Sequence, residues 1–484
     1  MKIIRYCFIL LVVLISKKLI AQHLKPGFDK KEFIEMLKIG ARADTSYYVG
    51  LPAPQYFKMT YQSPQMGLDN RWQLWVSNDS VAVISVRGTT TTAVSFLANF
   101  YAAMVSAKGE LQLEKNFTFK YNLSDDPKAA VHVGYLVSTA YLSRDILPKI
   151  DSLYKSGIKE FIIAGHSQGG AITYLLTSYL ESLKDDNELP RDIRFKTCAS
   201  ASPKPGNLFY AYQFENLTKG GWAYNVVNTA DWVPEVPFSI QTLNDFNEVN
   251  PFVNAKAVIK KQKFPKNLAL RHVYNRLSKP AKRAQKNYEK FLGKMVSKFI
   301  KKALPDFKPP EYFKSNYYVR TGTTIVLYAD SAYYKKFPQD VNKVWENHSQ
   351  VRYLFLTERL PEDNQTSAPE GRLNGTWELN YISGRRIAFE GLYPDKKPTI
   401  AINVDSSQIN GNTSCNVFSG KLNANGNKIN FEAPMAMTMM ACPGEGEKVF
   451  LETLKKITSY SLSDNNNTLT LIVGDVAMMR FVRK

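Results

Sequence analysis

The stretch that decides the fold reads Phe161-Ile162-Ile163-Ala164-Gly165-His166-Ser167-Gln168-Gly169-Gly170-Ala171-Ile172-Thr173-Tyr174-Leu175-Leu176. Phe161 to Ala164 is a short β-type run, and Ala171 to Leu183 carries helical periodicity. Between them Gly165-His166-Ser167-Gln168-Gly169 fits G-x-S-x-G in the strand-then-helix context that gives the pattern meaning. Glycines flank the serine because the turn is sharp and its neighbours approach closely. Such a turn lifts the Ser167 Oγ out of the sheet and sets the Gln168 N–H where an oxyanion collects it. The helix N-terminus adds partial positive charge at the same spot. A plain turn serine is the rival reading; with strand, Gly170 and helix in place, the nucleophile is favoured.

Outward from this elbow the same alternation continues. Trp72 to Val76 and Val81 to Val86 read as strands joined at Asn78-Asp79, and Ala130 to Leu142 and Ile146 to Ser156 as helices ended by Gly157. Ala223 to Val227 and Thr323 to Tyr328 read as further strands, and Phe28 to Tyr48 as an amphipathic entry helix. Strands alternating with helices at this spacing define an α/β domain with a mostly parallel central sheet.

A serine hydroxyl needs a base, and the base needs an orienting carboxylate. The chain has five histidines, so the base is sought by elimination. His23 lies at the start of the mature chain, His166 sits on the elbow and points elsewhere, and His132 precedes the serine. In this chain order the acid and then the histidine follow the nucleophile. His272 lies in a basic insertion, which leaves His348 as the best placed. For the acid, Asp231 follows the apolar run Tyr224 to Val227 and precedes Trp232-Val233-Pro234. Asp330, at the end of another apolar run, is the runner-up.

These residues resemble the class 3 lipase family of α/β-hydrolases, and the likeness extends past the serine. Val86-Arg87-Gly88-Thr89 resembles the family's strand-end Arg-Gly-Thr, and Val131-His132-Val133-Gly134-Tyr135 its His-x-Gly-aromatic helix start. Ala201 to Asn207 is similar to its Pro-basic-x-Gly-Asn segment, and Asn228 to Pro237 to its Asn-x-x-Asp-x-Val-Pro loop. His348 with Tyr353 is similar to its terminal His and aromatic. The resemblance implies an α/β-hydrolase domain over 24–362 and a triad of Ser167, Asp231 and His348. It also implies an oxyanion hole from Thr89 and Gln168, and a lipid or ester substrate. No metal or organic cofactor is required. Two segments depart from the family. Thr90 to Ala107 occupies its lid position yet carries no charge, so it reads equally as a core helix or an apolar flap. An insertion at about 240–310 has no counterpart in compact members.

Charge concentrates in that insertion. The chain carries 63 Lys and Arg against 43 Asp and Glu, a net +20. Residues 256–302 hold sixteen Lys or Arg and one acid, Glu289, so fifteen of those net charges lie there. Phe291, Leu292, Met295, Val296, Phe299 and Ile300 run between the lysines as an apolar stripe. The pattern is a basic amphipathic helix, for which an anionic membrane surface is the candidate partner and a solvated cap the bland alternative. Nucleic acid is not expected, since no recognition module is present.

The ends set compartment and organisation. Lys2 and Arg5 precede the apolar run Tyr6 to Ile15, and Ala21 precedes a cut, a pattern read as a signal peptide over 1–21. An uncleaved anchor is the alternative, and with a signal the protein is exported, to a periplasm, an envelope or the medium. Polar, proline-containing residues at 363–370 mark a linker. Beyond it, 371–484 is rich in Asn, Gly and Thr and reads as a small, mainly β (α+β) domain with one helix at Gly446 to Lys455. It resembles the META domain on Leu373-Asn374-Gly375-Thr376-Trp377, Cys415-Asn416-Val417-Phe418-Ser419-Gly420 and the methionine-rich run to Cys442. That likeness supports an envelope or exported location more than an activity. Whether Cys415 and Cys442 pair stays open, and Cys198 reads as a buried small hydrophobe. Two further classes of function remain beside the carboxylic ester hydrolase: a phospholipase at anionic membranes and a non-catalytic envelope scaffold.

Overall fold

The apolar run before the elbow becomes the middle strand of a seven-stranded sheet. Its strands are β1 (Phe57–Gln62), β2 (Trp72–Ser77), β3 (Val81–Val86), β4 (Glu160–His166), β5 (Arg194–Ser200), β6 (Ala223–Asn228) and β7 (Thr323–Leu327), lying side by side in chain order. β1, β2 and β3 pair antiparallel; from β3 to β7 every pairing is parallel. This is the mostly parallel sheet that the alternation of strands and helices predicts. The computed structural model describes residues 24–43, 51–360, 373–383, 388–404, 406–426, 428–431, 433–442, 444–463, 467–474 and 476–484. The signal at 1–21 and the linker at 363–370 lie outside the described residues. The chain divides into two compact units, 1–361 and 362–484.

Both faces of the sheet are covered, so its central strands are apolar on both sides. Successive residues of β3 and β4 alternate between two apolar clusters. Ala82, Ile84, Phe161 and Ile163 join one with Leu136, Leu175 and Leu176; Val83, Ile162 and Ala164 join the other with Leu37, Tyr353 and Leu356. The first cluster is closed by α3 (Val133–Lys155) and α4 (Gln168–Asp185), the second by α1 (Lys30–Gly40) and α7 (Gln350–Glu358). Asp29 caps α1, accepting from the N–H groups of Lys31 and Glu32. Lys196, buried within β5, pairs with Glu32 of α1 at 2.6 Å and pins that helix to the sheet. Burial pushes the Cys198 thiol upward, which keeps it protonated and inert.

The structure departs from the sequence pattern at 130–156. Ala130–His132 is a short strand, and one helix, α3, then runs unbroken through Pro148. Asp145, in the interval between the two helices read from the sequence, accepts from the Trp72 Nε1–H at 2.8 Å and from the Tyr61 hydroxyl. Thr90 to Ala107 forms α2 (Ala93–Phe100) and the buried strand Met104–Ser106. Ser95 and Ala98 face inward, so α2 is half a core helix, with Phe100 exposed.

The insertion between β6 and β7 is helical. It carries Ala255–Lys260, α5 (Lys266–Tyr288), a π-turn segment Glu289–Met295 and α6 (Val296–Ala303).

The second unit is a ten-stranded antiparallel sheet with α8 (Gly446–Leu454). Trp377, Leu379, Phe450, Leu469 and Phe481 are among its buried side chains. A disulfide joins Cys415 to Cys442, settling the pairing left open by the sequence.

Candidate active site

The elbow is built from close approach. A Cβ on Gly169 would stand 2.3 Å from the Val86 carbonyl oxygen, and one on Gly165 would stand 2.4 Å from the Gly169 carbonyl. Neither position accepts a side chain. Ser167 has φ 62° and ψ −133°, a conformation L-residues avoid, and it persists because the packing around it over-determines it. Its N–H donates to the Ser200 carbonyl of the neighbouring strand at 3.0 Å. Gln168 opens α4, where its N–H has no carbonyl one turn back to bond.

His348 ends a short 3-10 turn just before α7. Its Nδ1 lies 2.8 Å from Asp231 Oδ2. An ionised carboxylate only accepts, so Nδ1 carries a proton, and the neutral form of the ring presents its lone pair at Nε2. Among the described residues that buried Nε2 has no hydrogen-bond partner. The His166 and His348 rings stand 4.9 Å apart between centroids, which brings the imidazole against the elbow. No hydrogen bond joins Ser167 Oγ to His348; such contacts are often long before substrate binds.

Asp231 is buried. Its Oδ2 also accepts from the Tyr353 hydroxyl at 2.8 Å, and its Oδ1 from the Val233 N–H at 3.0 Å. Burial works to raise its pKa, but the hydrogen bond and charge of His348, with the Val233 and Tyr353 donors, outweigh it. The carboxyl is held below its ordinary value. Asp330 is elsewhere engaged: it caps the helix Ser331–Lys336 and pairs with Arg359 at 2.6 Å. His272 lies on α5, exposed.

Thr89 is held from two sides. Its hydroxyl donates to Gln168 Oε1 at 2.8 Å and accepts from Asn99 Nδ2 at 2.8 Å. Asn99 is itself fixed by the Tyr135 hydroxyl on its Oδ1 and by the His132 Nε2–H on its carbonyl. His132 is therefore a neutral, buried support of this loop, pushed by burial to a pKa of about 3. Asp69 anchors the same loop. It accepts from the Thr90 and Thr92 hydroxyls, both at 2.5 Å, and pairs with Arg87 at 2.8 Å.

Of the residues singled out in the sequence, Asp231 and His348 share a hydrogen bond, His348 lies against His166, the residue before Ser167, and Thr89 bonds to Gln168. The sequence reading missed Asp69, Asn99 and the supporting roles of His132 and His166. Asn99 was the one visible signal, a lone amide in an otherwise uncharged, small-residue segment.

Residues 83–241 match the model of the lipase (class 3) family, and residues 371–484 match that of the META domain. The first match contains Thr89, Ser167, Gln168 and Asp231; His348 lies beyond it. The secreted mono- and diacylglycerol lipase 1 of Fusarium solani is 29% identical over 171 residues, covering 34% of this chain and 48% of that protein. The chain thus matches about half the length of this curated relative. Among solved structures, the Rhizomucor miehei lipase propeptide complex is 16% identical with a TM-score of 0.34, over 44% of this chain and 66% of that one. A Yarrowia lipolytica lipase is 18% identical with a TM-score of 0.34, over 45% and 78%.

Proposed function

We propose that this protein is a serine hydrolase of the lipase and carboxylesterase type, acting on acylglycerol or other carboxylic esters. One observation carries the reading: Asp231 orients His348 through Nδ1, leaving a buried, unpartnered Nε2 on a ring that lies against His166, the neighbour of the strained Ser167. His348 Nε2 takes the Ser167 proton as Oγ attacks the ester carbonyl carbon. The carbonyl electron pair moves onto oxygen, and the Gln168 N–H and Thr89 receive that charge. Collapse expels the alcohol, protonated by the imidazolium, and leaves acyl-Ser167. Water, giving a proton to His348, then attacks the acyl carbon and releases the acid and free serine.

Exposed Trp232 and Trp345 support an apolar substrate. Their rings lie 4.9 Å apart, and Trp345 stands 5.9 Å from the His348 ring, forming an apolar rim beside the base. The cationic stretch 256–302 favours phospholipid esters as a second substrate reading. Export from the cytoplasm follows from the signal read at 1–21, and the Fusarium relative is named as secreted. Among the described residues no helix is long and apolar enough to cross a membrane.

The test is a panel of p-nitrophenyl esters of increasing chain length, triglyceride and anionic phospholipid, run beside fluorophosphonate labelling. Ser167→Ala and His348→Ala should abolish hydrolysis, and Ser167→Ala should abolish labelling, while His272→Ala retains both. Hydrolysis at the wild-type rate by Ser167→Ala would refute the proposal, and a parent protein that neither hydrolyses any ester nor takes the label would leave the scaffold reading.

A further inference from the structure

The insertion places its charge and its unburied apolar side chains on the same elements. Of the 23 residues of α5, only Gln285 and Tyr288 near its end are buried. Leu270, Val273 and Leu277, spaced three and four residues apart on one face, are 38%, 53% and 74% exposed. Just before the helix, Val258 and Phe264 are also exposed. His272, Arg276, Lys279 and Arg283 recur at the same spacing on another side of the helix, lining a cleft of about 600 Å³. Among the described residues Lys294, paired with Glu289, is the one Lys or Arg of 256–302 with an acidic partner.

Single exposed apolar side chains are ordinary on a soluble protein. Several along one short, highly cationic segment mark an interaction surface. A second copy of the chain would bring two such cationic faces together, which repel. A nucleic acid would neutralise the charge but leave Phe264, Val273 and Leu277 in water. An anionic bilayer answers both features: acyl chains receive the apolar stripe, and lipid phosphates meet Lys and Arg heads carried out on long stems. We propose that α5 and the preceding 258–264 segment dock the protein onto anionic phospholipid membranes. The docking goes beyond ester hydrolysis, since binding requires no turnover.

The experiment is co-flotation of full-length Ser167→Ala protein with vesicles of phosphatidylcholine alone and of phosphatidylcholine mixed with phosphatidylglycerol. Binding should be at least roughly tenfold tighter to the anionic vesicles, because each basic side chain near such a surface adds to the attraction. It should fade as salt shortens the Debye length. The triple variant L270Q/V273Q/L277Q should weaken binding about tenfold, since amphipathic docking scales with buried apolar area. In a Ser167 background the same triple variant should hydrolyse a soluble short-chain ester as fast as its parent, showing that these exposed changes leave the fold intact. Equal binding to neutral and anionic vesicles overturns the proposal, as does binding unchanged by the triple substitution. So does a dimer that the triple substitution dissolves, which would assign the face to a second copy. Absent hydrolysis of any ester by the parent protein would count against the hydrolase reading alone.

Discussion

His166 donates from Nε2 to the carbonyl oxygen of His348 at 2.8 Å, while its Nδ1 accepts from the Ser200 hydroxyl at 2.9 Å. The residue before the proposed nucleophile therefore holds the backbone of the proposed base, tying the far end of the unit to the elbow. His166→Phe removes the donor and strands a buried carbonyl, which costs about 1–3 kcal/mol of stability. We expect kcat to fall roughly tenfold to hundredfold with KM little changed, because a small displacement of a catalytic group is expensive. His166→Gln, whose amide nitrogen reaches the position of Nε2, should restore most of the loss. Equal kcat for His166→Phe and the parent would remove the positioning role.

Asp231 and the runner-up Asp330 are separated by one pair of substitutions. In Asp231→Asn the amide offers an N–H toward Nδ1, so the imidazole proton moves to Nε2 and the base loses its lone pair. A drop of about 10⁴ in kcat is expected from this tautomer change, the size seen in the general triad case. Asp330→Asn touches a helix cap and an exposed ion pair. It should leave ester hydrolysis unchanged. Activity surviving in Asp231→Asn but lost in Asp330→Asn would transfer the acid to residue 330.

Thr89 tests the oxyanion hole. Its hydroxyl accepts from Asn99 Nδ2 and gives its single proton to Gln168 Oε1, so that proton turns from Oε1 to the oxyanion as charge develops. Thr89→Val removes the hydroxyl and should lower kcat by about 10²–10³, the usual loss for one such donor. Thr89→Ser should stay near the parent. Gln168→Ala keeps its backbone N–H and should cost far less. If Thr89→Val proves as active as the parent, the hydroxyl is not an oxyanion donor.

The elbow was legible because its constraints are local: glycines, a strand and a helix are all adjacent in the chain. Asp231 was legible from the proline-locked loop after a strand, and His348 by elimination among few histidines. His132 and His166 were legible only as non-candidates for the base. Their supporting bonds run to Asn99 and His348, residues 33 and 182 positions away, and no spacing rule encodes such contacts. Asp69 escaped for the same reason, since its partners Arg87, Thr90 and Thr92 meet it only once β3 is laid in the sheet. The two helices read over 130–156 are one from Val133 onward, and Asp145 in the interval between them is bonded by Trp72. Its acceptor role toward Trp72 is tertiary.

The two buried histidines make stability depend on pH. Burial, joined at His166 by the nearby His348, pushes both pKa values down to about 3, whereas an unfolded histidine titrates near its ordinary value. The unfolded chain therefore takes up protons below about pH 6.5 that the folded chain refuses, and stability falls as pH drops from there toward about 3. At about pH 5 each site costs roughly 2 kcal/mol relative to neutral pH. Asp231, held below its ordinary value, adds a further loss only under more acidic conditions, as it must be protonated on unfolding. Denaturant unfolding of the full chain at about pH 7 and about pH 5 should thus show a loss of roughly 4 kcal/mol for the transition of the first unit. His166→Gln should halve that dependence even after its own offset in stability is subtracted. A stability of the first unit that is flat across this range would mean that these imidazoles accept protons in the folded state, and their roles as fixed neutral hydrogen-bonding partners would fall with it.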